Sequence, residues 1–421
     1  MKELSLAYGN DAVSLTLDDG RLQLIASEVQ QLTPLSDLEI GAAIDSPINS
    51  PCLEEILSDE HSVLIVVSDA TRATGSAQCV NLLIRRLVQL GIPSTRISII
   101  FATGIHRPVT TPEKVQLLTP FVVQRISTLD HDASDRAKLI DFGVTNRGTR
   151  VELNRALKDF DHVIVVGGIA YHYFAGFTGG RKSICPGLAS SATVEATHIW
   201  ALDFKNGGRR AGVGTGLLEG NPVHEECERI AALINPSFTI NTIVDEKGRI
   251  IKLFAGHWRD AHRVACAEYH KNHSIEISET RDLVIASCGG FPYDINLIQA
   301  HKTLEMASHA CSEGGTIILV AECRDGLGRA DFLQWFAERD SRALEHRLSD
   351  SYQVNGQTAW ALLTKAERFR IFLVSQLDEE VVRQMRMIPT QSLDEAIAQI
   401  PKSVNGYLMP RGAASLPVLR H

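Results

Sequence analysis

The 421-residue sequence predicts an α/β fold of two domains, each built around a doubly wound, mainly parallel sheet. Short β-branched apolar runs recur along the chain, beginning with SVLIVVSD (62–69) and RISIIFATG (96–104). Such runs are typical of parallel strands that are buried on both faces. Helical segments separate these runs, and strand–helix alternation produces right-handed βαβ units. The chain is also longer than one hydrophobic core normally supports, which favours two domains.

The other strands and helices are predicted from similar patterns. Four further runs predict strands: DHVIVVGG (161–168), RDLVIASCGG (281–290), GTIILVAEC (315–323) and RFRIFLVSQL (368–377). The segment AQCVNLLIRRLVQLGIP (77–93) predicts a helix that Gly91 and Pro93 terminate. In the less regular stretch from about 190 to 280, NPVHEECERIAALI predicts another helix, and FTINTIVDEKGRIIKLFAGH predicts two strands joined by the turn DEKG.

The domain boundary is expected near residue 275, where the segment EYHKNHSIEISET turns polar. We expect residues 1–275 to form an N-terminal α/β domain and residues 276–407 to form a Rossmann-like α/β domain. The C-terminal tail, residues 408–421, is expected to return to the first domain. The active site is expected in the cleft between the two domains.

Composition excludes several classes of function. The net charge of −8 and the lack of a basic tract argue against a nucleic-acid partner. No apolar run approaches the ~20 residues that span a membrane, and the N-terminus lacks the apolar segment of a signal peptide. The eight cysteines contain no CxxC pair, which is typical of reduced thiols. We therefore expect a cytoplasmic protein without a membrane or nucleic-acid partner.

Polar residues that follow strands are the first candidates for a site, because ligands of open α/β sheets bind beyond the carboxyl ends of the strands. The candidates in chain order are Asp69, Arg72, His106, His172, Lys182, His198, Gln299 and Lys302. Each also has a purely structural interpretation: a helix cap, a surface ion pair, a buried histidine, a solvated lysine or a pair on one helix face. Their convergence on several strand ends favours a functional site.

These residue types support a limited chemistry. Two histidines act as general acid and base near neutral pH, and a pair on opposite sides of a carbon centre is what a racemase or epimerase needs. Arg72 and Lys302 are suited to hold a carboxylate. A third histidine could bind nickel, zinc or copper, but the sequence has no HxxxH and no His/Cys cluster to complete a metal site. The other metal ligands would then come from a cofactor.

The segment AYHYFAGFTGGRKSICPG (170–187) is similar to a phosphate-binding P-loop but departs from it. Arg181 occupies the position where a P-loop needs glycine, and about nine residues separate the strand from the glycines. This disfavours a P-loop kinase. No GxGxxG follows the first strand, which disfavours an NAD-type dehydrogenase. A non-catalytic binding protein with the same fold is the third alternative.

Together, several segments resemble one known family over most of the chain. They are SDATR, ATGIHRPVT, HYFAGFTGGRKSICPGLAS, ATHIW, GNPVHEE and DINLIQAHKTLEMA. Through these segments the sequence resembles the lactate racemase family of nickel-pincer-nucleotide enzymes.

The resemblance implies a cofactor, the Ni(II) complex of pyridinium-3,5-bisthiocarboxylic acid mononucleotide. Lys182 matches the lysine that carries this group covalently, and His198 matches the histidine that binds nickel. The residues that match the family's remaining cofactor contacts are Asp69, Ala70, Thr71, Arg72 and Pro186. Residues 1–275 would then be the cofactor-binding domain. Separate biosynthetic proteins must make the cofactor and are the implied partners.

The resemblance also implies the reaction, inversion of C2 of a 2-hydroxy acid by reversible hydride transfer to the cofactor. His106 and His172 match the acid–base pair. The residues that match the family's substrate-binding positions are Arg72, Ile298, Gln299, Lys302 and Trp360. Trp360 could instead be an aromatic residue in a helix core.

Substrate identity and oligomeric state stay open at this stage. Ile298 stands where the lactate enzyme has tyrosine, so malate-like, longer, aromatic or sugar acids compete with lactate. Arg107 and Arg181 are spare cations for a second carboxylate.

Overall fold

The structure is a computed structural model and describes residues 2–17, 20–26 and 32–420. Within these residues the strands are β1 (Lys2–Tyr8), β2 (Asp11–Leu17), β3 (Leu22–Leu24), β4 (Val63–Ser68), β5 (Ile97–Ala102), β6 (Ser127–Asp130), β7 (Leu139–Val144), β8 (Arg150–Asn154), β9 (His162–Gly168), β10 (Tyr171–His172), β11 (Ala175–Phe177), β12 (Gly214–Thr215), β13 (Phe238–Val244), β14 (Ile250–Gly256), β15 (Ser274–Ile277), β16 (Arg281–Ser287), β17 (Cys311–Val320), β18 (Arg370–Val374), β19 (Ile388–Thr390), β20 (Gly406–Met409) and β21 (Leu416–Leu419).

The α-helices in the same residues are α1 (Asp37–Ile44), α2 (Leu53–Ile56), α3 (Ser76–Gln89), α4 (Thr111–Leu118), α5 (Pro120–Arg125), α6 (Ala156–Asp159), α7 (Ser191–His198), α8 (Pro222–Ile234), α9 (Asp260–His273), α10 (Leu297–Ser308), α11 (Ser341–Asp350), α12 (Val354–Arg368), α13 (Glu379–Gln384) and α14 (Leu393–Ala398). Short 3-10 helices include Gly180–Ser183 and Ile199–Ala201. The predicted strands and both predicted helices are confirmed.

The chain forms two compact units. The first unit comprises residues 32–201 and 209–270, and the second comprises residues 2–17, 20–26, 202–208 and 271–420. Each unit contains a six-stranded sheet in which most or all neighbours are parallel. The predicted class, α/β with mainly parallel sheets, is therefore confirmed.

Both ends of the chain differ from the expected grouping, in which residues 1–275 and the tail, 408–421, form one domain and residues 276–407 form the other. The β1–β2 hairpin places Leu6 and Leu15 in the hydrophobic core of the second unit, and β3 pairs with β20. At the other end, β21 pairs with β15, so the tail also belongs to the second unit. A short strand satisfies its backbone hydrogen bonds by joining an existing sheet edge, and local sequence does not specify which edge.

The sheet of the first unit has the order β14-β13-β9-β4-β5-β6. Residues 63–67 of β4 are completely buried, as a central strand covered on both faces requires. β14 alone runs antiparallel, because it returns from β13 through the predicted turn. β4 lies between β5 and β9, so the carboxyl ends of these three strands meet at one edge of the sheet.

The sheet of the second unit has the order β19-β18-β17-β16-β20-β3, and every pair is parallel. β16 lies between β17 and β20, and the chain leaves its carboxyl end to form α10. Asn296 caps this helix, because its side chain accepts a hydrogen bond of 3.0 Å from the backbone N–H of Gln299. The cap determines where α10 begins and so fixes Ile298, Gln299 and Lys302 in its first turns.

Across the described ranges, the helices are all too short or too polar to cross a bilayer.

A buried histidine connects β6 to the segment that follows Lys182. His131 is 2% exposed; its Nε2 lies 3.1 Å from the carbonyl oxygen of Ala189, and its Nδ1 lies 3.2 Å from the side-chain nitrogen of Asn154. A neutral ring with its proton on Nε2 satisfies both contacts. Burial lowers the pKa of His131 to about 4, so the ring is neutral in the folded protein at neutral pH.

Acidification is expected to destabilise the first unit through His131. The unfolded chain takes up this proton below pH 6.5, whereas the folded protein does so only near pH 4. The contribution of neutral His131 to the free energy of unfolding is therefore complete above pH 6.5, decreases as the pH falls, and is lost by about pH 4. Its full size is about 3 kcal/mol. Urea unfolding at about pH 7 and about pH 4.5 should give a smaller pH dependence for His131→Gln than for the wild type.

The control for this experiment is His346→Gln, because the His346 side chain is 79% exposed. Its pH dependence should equal that of the wild type. An unchanged pH dependence in His131→Gln would contradict the neutral assignment of His131.

Candidate functional site

Asp69 follows β4 directly and is 4% exposed. Its Oδ1 accepts hydrogen bonds from the backbone N–H of Thr71 (3.1 Å) and from the Thr71 hydroxyl (2.6 Å). Its Oδ2 lies 2.7 Å from Nδ1 of His106, which follows β5. Burial alone would raise the pKa of Asp69, but the charge and hydrogen bond of His106, with help from Arg72 and Thr71, lower it to about 2.

This contact determines which ring nitrogen of His106 carries the proton. An ionised carboxylate only accepts hydrogen bonds, so Nδ1 of His106 donates to Asp69. In the neutral ring, Nε2 then has a free lone pair. The His106 side chain is 37% exposed, so this nitrogen is placed where a base could work.

The segment after β9 forms a hairpin and then a single turn of 3-10 helix. β10 pairs with β11 across a tight turn at residues 173–175, and the 3-10 helix Gly180–Ser183 carries Lys182. Gly179 and Gly180 both have left-handed φ angles, +75° and +46°. A Cβ on Gly180 would lie 2.6 Å from the ring of His262, so only glycine fits this close approach. The Gly180 N–H donates to the Asn241 side chain at 3.2 Å.

Arg181 is buried and makes structural contacts. Its Nη2 donates to the carbonyl of Ala175 at 2.7 Å, and its Nη1 lies 2.9 Å from Nε2 of His262. The same Nε2 lies 3.0 Å from the carbonyl oxygen of Thr178. Burial, followed by the Arg181 charge, lowers the pKa of His262 to about 3, so the ring is neutral at neutral pH. At 2% exposure Arg181 is not available to a second substrate carboxylate.

Arg107, the other spare cation, pairs with a neighbouring carboxylate. Its Nη2 and Nη1 donate to the two carboxylate oxygens of Glu113 at 2.6 and 2.8 Å. A two-point ion pair of this kind holds the guanidinium on the protein's own surface.

Lys182 is partly buried, and within the described residues it forms no ion pair with a carboxylate. Burial, followed by the positive charge of Arg181, holds the pKa of Lys182 well below its ordinary value. Its Nζ lies 5.5 Å from the ring centroid of Phe174. These surroundings favour the neutral amine.

His198 is the last residue of α7 and is 5% exposed. The Thr197 hydroxyl donates its one proton to the carbonyl of Val194 at 2.8 Å, so it accepts from Nδ1 of His198 at 3.0 Å. The lone pair of His198 is therefore on Nε2. Burial, followed by the charge of Lys182, lowers the pKa of His198 to about 3. A neutral imidazole with one free nitrogen is the form that binds metals.

His172 ends β10 and is 6% exposed. The backbone N–H of Ala175 donates to its Nδ1 at 3.3 Å, which in the neutral ring places the proton on Nε2. The ring stacks against Tyr173 at 5.5 Å and meets Phe174 edge to face at 4.5 Å. His172 and His106 are thus held in opposite tautomers.

The predicted substrate-binding residues lie in the second unit, apart from Arg72. On α10, the amine of Lys302 donates to the side-chain oxygen of Gln299. Trp360 lies on α12 and is 7% exposed. A buried ion pair between Glu305 and Lys365 joins these two helices. Ile298 is partly buried, and its carbonyl accepts from Nδ1 of His301 at 2.6 Å.

The first unit thus brings most of the predicted residues into two groups. In one, Asp69 contacts His106. In the other, Lys182, His172 and His198 each contact the ring of Phe174. The loops that carry these groups also meet, because the Gly104 N–H donates to the Gly187 carbonyl at 2.8 Å. Ala70 lies in the same loop as Asp69, and Pro186 directly precedes Gly187. Arg72 Nη1 lies 3.4 Å from the Thr71 carbonyl.

Sequence reasoning missed three residues that support these groups. They are Phe174, Asn241 and His262, whose side chains contact the Lys182 segment. The first belongs to the apolar hairpin and the other two lie on distant elements. None stands in a local pattern that would have revealed its contact.

Two family models match the chain. The Lactate racemase N-terminal domain matches residues 8–208, and the Lactate racemase C-terminal domain matches residues 277–407.

Comparison with known proteins gives the same result over nearly the whole length. The lactate racemase of Thermoanaerobacterium thermosaccharolyticum is 30% identical over 418 residues, which cover 96% of each chain. That of Lactiplantibacillus plantarum is 32% identical over 406 residues, which cover 94% of each chain.

Solved structures agree in fold. The lactate racemase apoprotein from Thermoanaerobacterium thermosaccharolyticum superposes with a TM-score of 0.88 at 27% identity and covers all of both chains. A Thermotoga maritima protein superposes with a TM-score of 0.71 at 19% identity, and the match covers 94% of this chain and all of that protein. At this identity the likeness shows the fold alone. This chain therefore belongs to the lactate racemase family and is an isomerase, a racemase.

Proposed function

We propose that this protein inverts C2 of a 2-hydroxy acid, with His106 and His172 as the acid–base residues and a nickel-pincer nucleotide held by Lys182 and His198. The observation that carries the proposal is the Asp69–His106 contact of 2.7 Å. It gives one histidine a free Nε2, an anionic partner and access to solvent, which are the properties of a general base.

The residues present fit the implied cofactor. In the described part of the chain there is no group of three His, Cys, Asp or Glu side chains that could hold a metal. Nickel bound at Nε2 of His198 would thus need its other donors from a small molecule, which a pincer nucleotide provides. Burial disfavours the charged form of Lys182, and a neutral amine is the form that can bond covalently to such a group. We propose Asp69, Ala70, Thr71, Arg72 and Pro186 as its remaining contacts.

When bound, the Ni(II) complex of pyridinium-3,5-bisthiocarboxylic acid mononucleotide would supply reversible acceptance of hydride from C2 of the substrate. The protein's own residues would handle the proton. His106 Nε2 would take the proton of the C2 hydroxyl, and ionised Asp69 would stabilise the imidazolium that forms. His172 would serve the opposite hydroxyl orientation: as the imidazolium it would return a proton to the oxygen on C2, and as the neutral ring it would take one. For it to accept a proton on Nε2, the 3.3 Å contact from the Ala175 N–H must open.

We propose Arg72, Gln299 and Lys302 as the residues that bind the substrate carboxylate, with Trp360 and Ile298 beside the substrate. Gln299 supports this role, because its contact holds the amine of Lys302 in one place. The relatives are named lactate racemases, so lactate is the first substrate to test. Ile298 lacks a hydroxyl, so longer, aromatic, malate-like and sugar acids follow it.

The eight cysteines are all unpaired, which fits a reducing compartment. We propose that the enzyme works in the cytoplasm, where cofactor-making proteins would load it.

The reaction is tested with single enantiomers of 2-hydroxy acids and protein produced together with cofactor-making proteins. We expect one acid to be interconverted between its enantiomers. His106→Gln and His172→Gln should each lower kcat by about 100-fold or more, since each removes a proton-transfer group. Chiral chromatography of the product measures this. The exposed His346→Gln is the control and should keep full activity; near-normal turnover in either test variant would remove that histidine from the acid–base pair.

Asp69→Asn tests the positioning of His106. The amide carries no charge to stabilise the imidazolium and no longer fixes the tautomer, so kcat/KM per bound nickel should fall by about 100-fold or more. Steady-state kinetics and metal analysis give both values. Asp245→Asn is the matched control, because Asp245 is also a buried carboxylate with hydrogen bonds to backbone N–H groups and an arginine. A loss for Asp69→Asn no larger than that of the control would contradict the role.

A further inference from the structure

One aromatic ring contacts the three side chains of the Lys182 group. Phe174 occupies the turn between β10 and β11 and is 3% exposed. Its ring centroid lies 4.5 Å from that of His172 at an interplanar angle of 87°, and 4.9 Å from that of His198 at 70°. Lys182 Nζ lies over the same ring at 5.5 Å. These three residues come from three different elements of the first unit.

The backbone of Phe174 is held by Asn221, which comes from the segment GNPVHEE and has no assigned role. Asn221 is completely buried and caps α8, because its Oδ1 accepts from the backbone N–H groups of Val223 (3.1 Å) and His224 (3.2 Å). Its side-chain nitrogen donates to the carbonyls of Phe174 (2.9 Å) and Leu217 (3.1 Å). All four hydrogen-bonding positions of this amide are used, so α8 fixes the turn that carries the ring.

A ring in this position has physical consequences for its neighbours. Aromatic pairs prefer edge-to-face contact, so Phe174 restrains the ring planes of His172 and His198. It also covers the Lys182 amine with an apolar face, which keeps water away. A rigid side chain with two rotatable bonds does this at small entropic cost.

We propose that Phe174 is a positioning residue that sets the orientation of His172, Lys182 and His198 together, and that Asn221 holds it in place. The inference rests on the proposed function and deepens it. It also makes a claim about the protein without cofactor, namely that the two histidine rings depend on Phe174 for their orientation.

The chain offers a matched control in Phe177, on the other strand of the same hairpin. Phe177 is 2% exposed, and its ring packs against Tyr171, Tyr269 and His270 at 5.4 to 6.4 Å. Phe174→Leu and Phe177→Leu remove the same atoms from equally buried positions of one hairpin. A purely structural role predicts the same outcome for both.

The first measurement uses protein produced with cofactor-making proteins. Phe174→Leu should retain about 10-fold less nickel after dialysis against a chelator than Phe177→Leu. Its kcat should fall with little change in KM, because the carboxylate-binding side chains of α10 are untouched. Phe174→Tyr keeps the ring and should recover nickel retention. Equal nickel retention and equal kcat in the two leucine variants would overturn the proposal.

The second measurement is crystal structures of both leucine variants without cofactor. In Phe174→Leu the rings of His172 and His198 should move or occupy several rotamers, whereas in Phe177→Leu they should stay in place. Unmoved rings in Phe174→Leu would overturn the positioning role. Failure of the wild type to bind nickel would contradict the proposed function, and the crystal structures would still decide the role of Phe174.

Discussion

The parallel pairing of β4 with both β5 and β9 is the constraint on which the candidate site depends. It brings three carboxyl ends to one sheet edge, and the residues that follow them include Asp69, His106 and His172. The contact between Asp69 and His106 requires β4 and β5 to be neighbours. The Lys182 segment requires β9, because the hairpin that carries it starts where β9 ends. Loss of this strand order would separate all of these side chains.

Burial then determines the chemistry of the side chains that the strands bring together. It lowers the pKa of His198 to about 3 and that of Lys182 well below its ordinary value, with the charges of Lys182 and Arg181 as the second cause of each. Asp69 shows the opposite balance, because His106 outweighs burial and keeps the carboxylate ionised. The site therefore combines an amine whose charged form is disfavoured, a neutral imidazole and an ionised carboxylate. Each of these states suits the role proposed for the residue.

Sequence reasoning predicted the parts of this arrangement that depend on local pattern. Continuous apolar runs identified β4, β5 and β9, and the rule that ligands bind beyond strand ends selected the polar residues after them. It could not predict the partners that come from distant elements, such as the Asn221 amide bound to the Phe174 carbonyl. It was also wrong about the chain ends, because Leu6 and Leu15 pack in the second unit. Arg181 was suggested as a substrate contact, but its burial depends on His262, which lies far along the chain.

We propose that Lys182 and His198 together hold a nickel-containing nucleotide. The most direct measurement is the intact mass of protein produced with cofactor-making proteins, followed by peptide mapping and nickel analysis. We expect a mass increase on the peptide that contains Lys182 and about one nickel per chain, with the nickel lost in His198→Ala although the chain stays folded. An unmodified Lys182 and no nickel, in a host that loads a known lactate racemase, would contradict it.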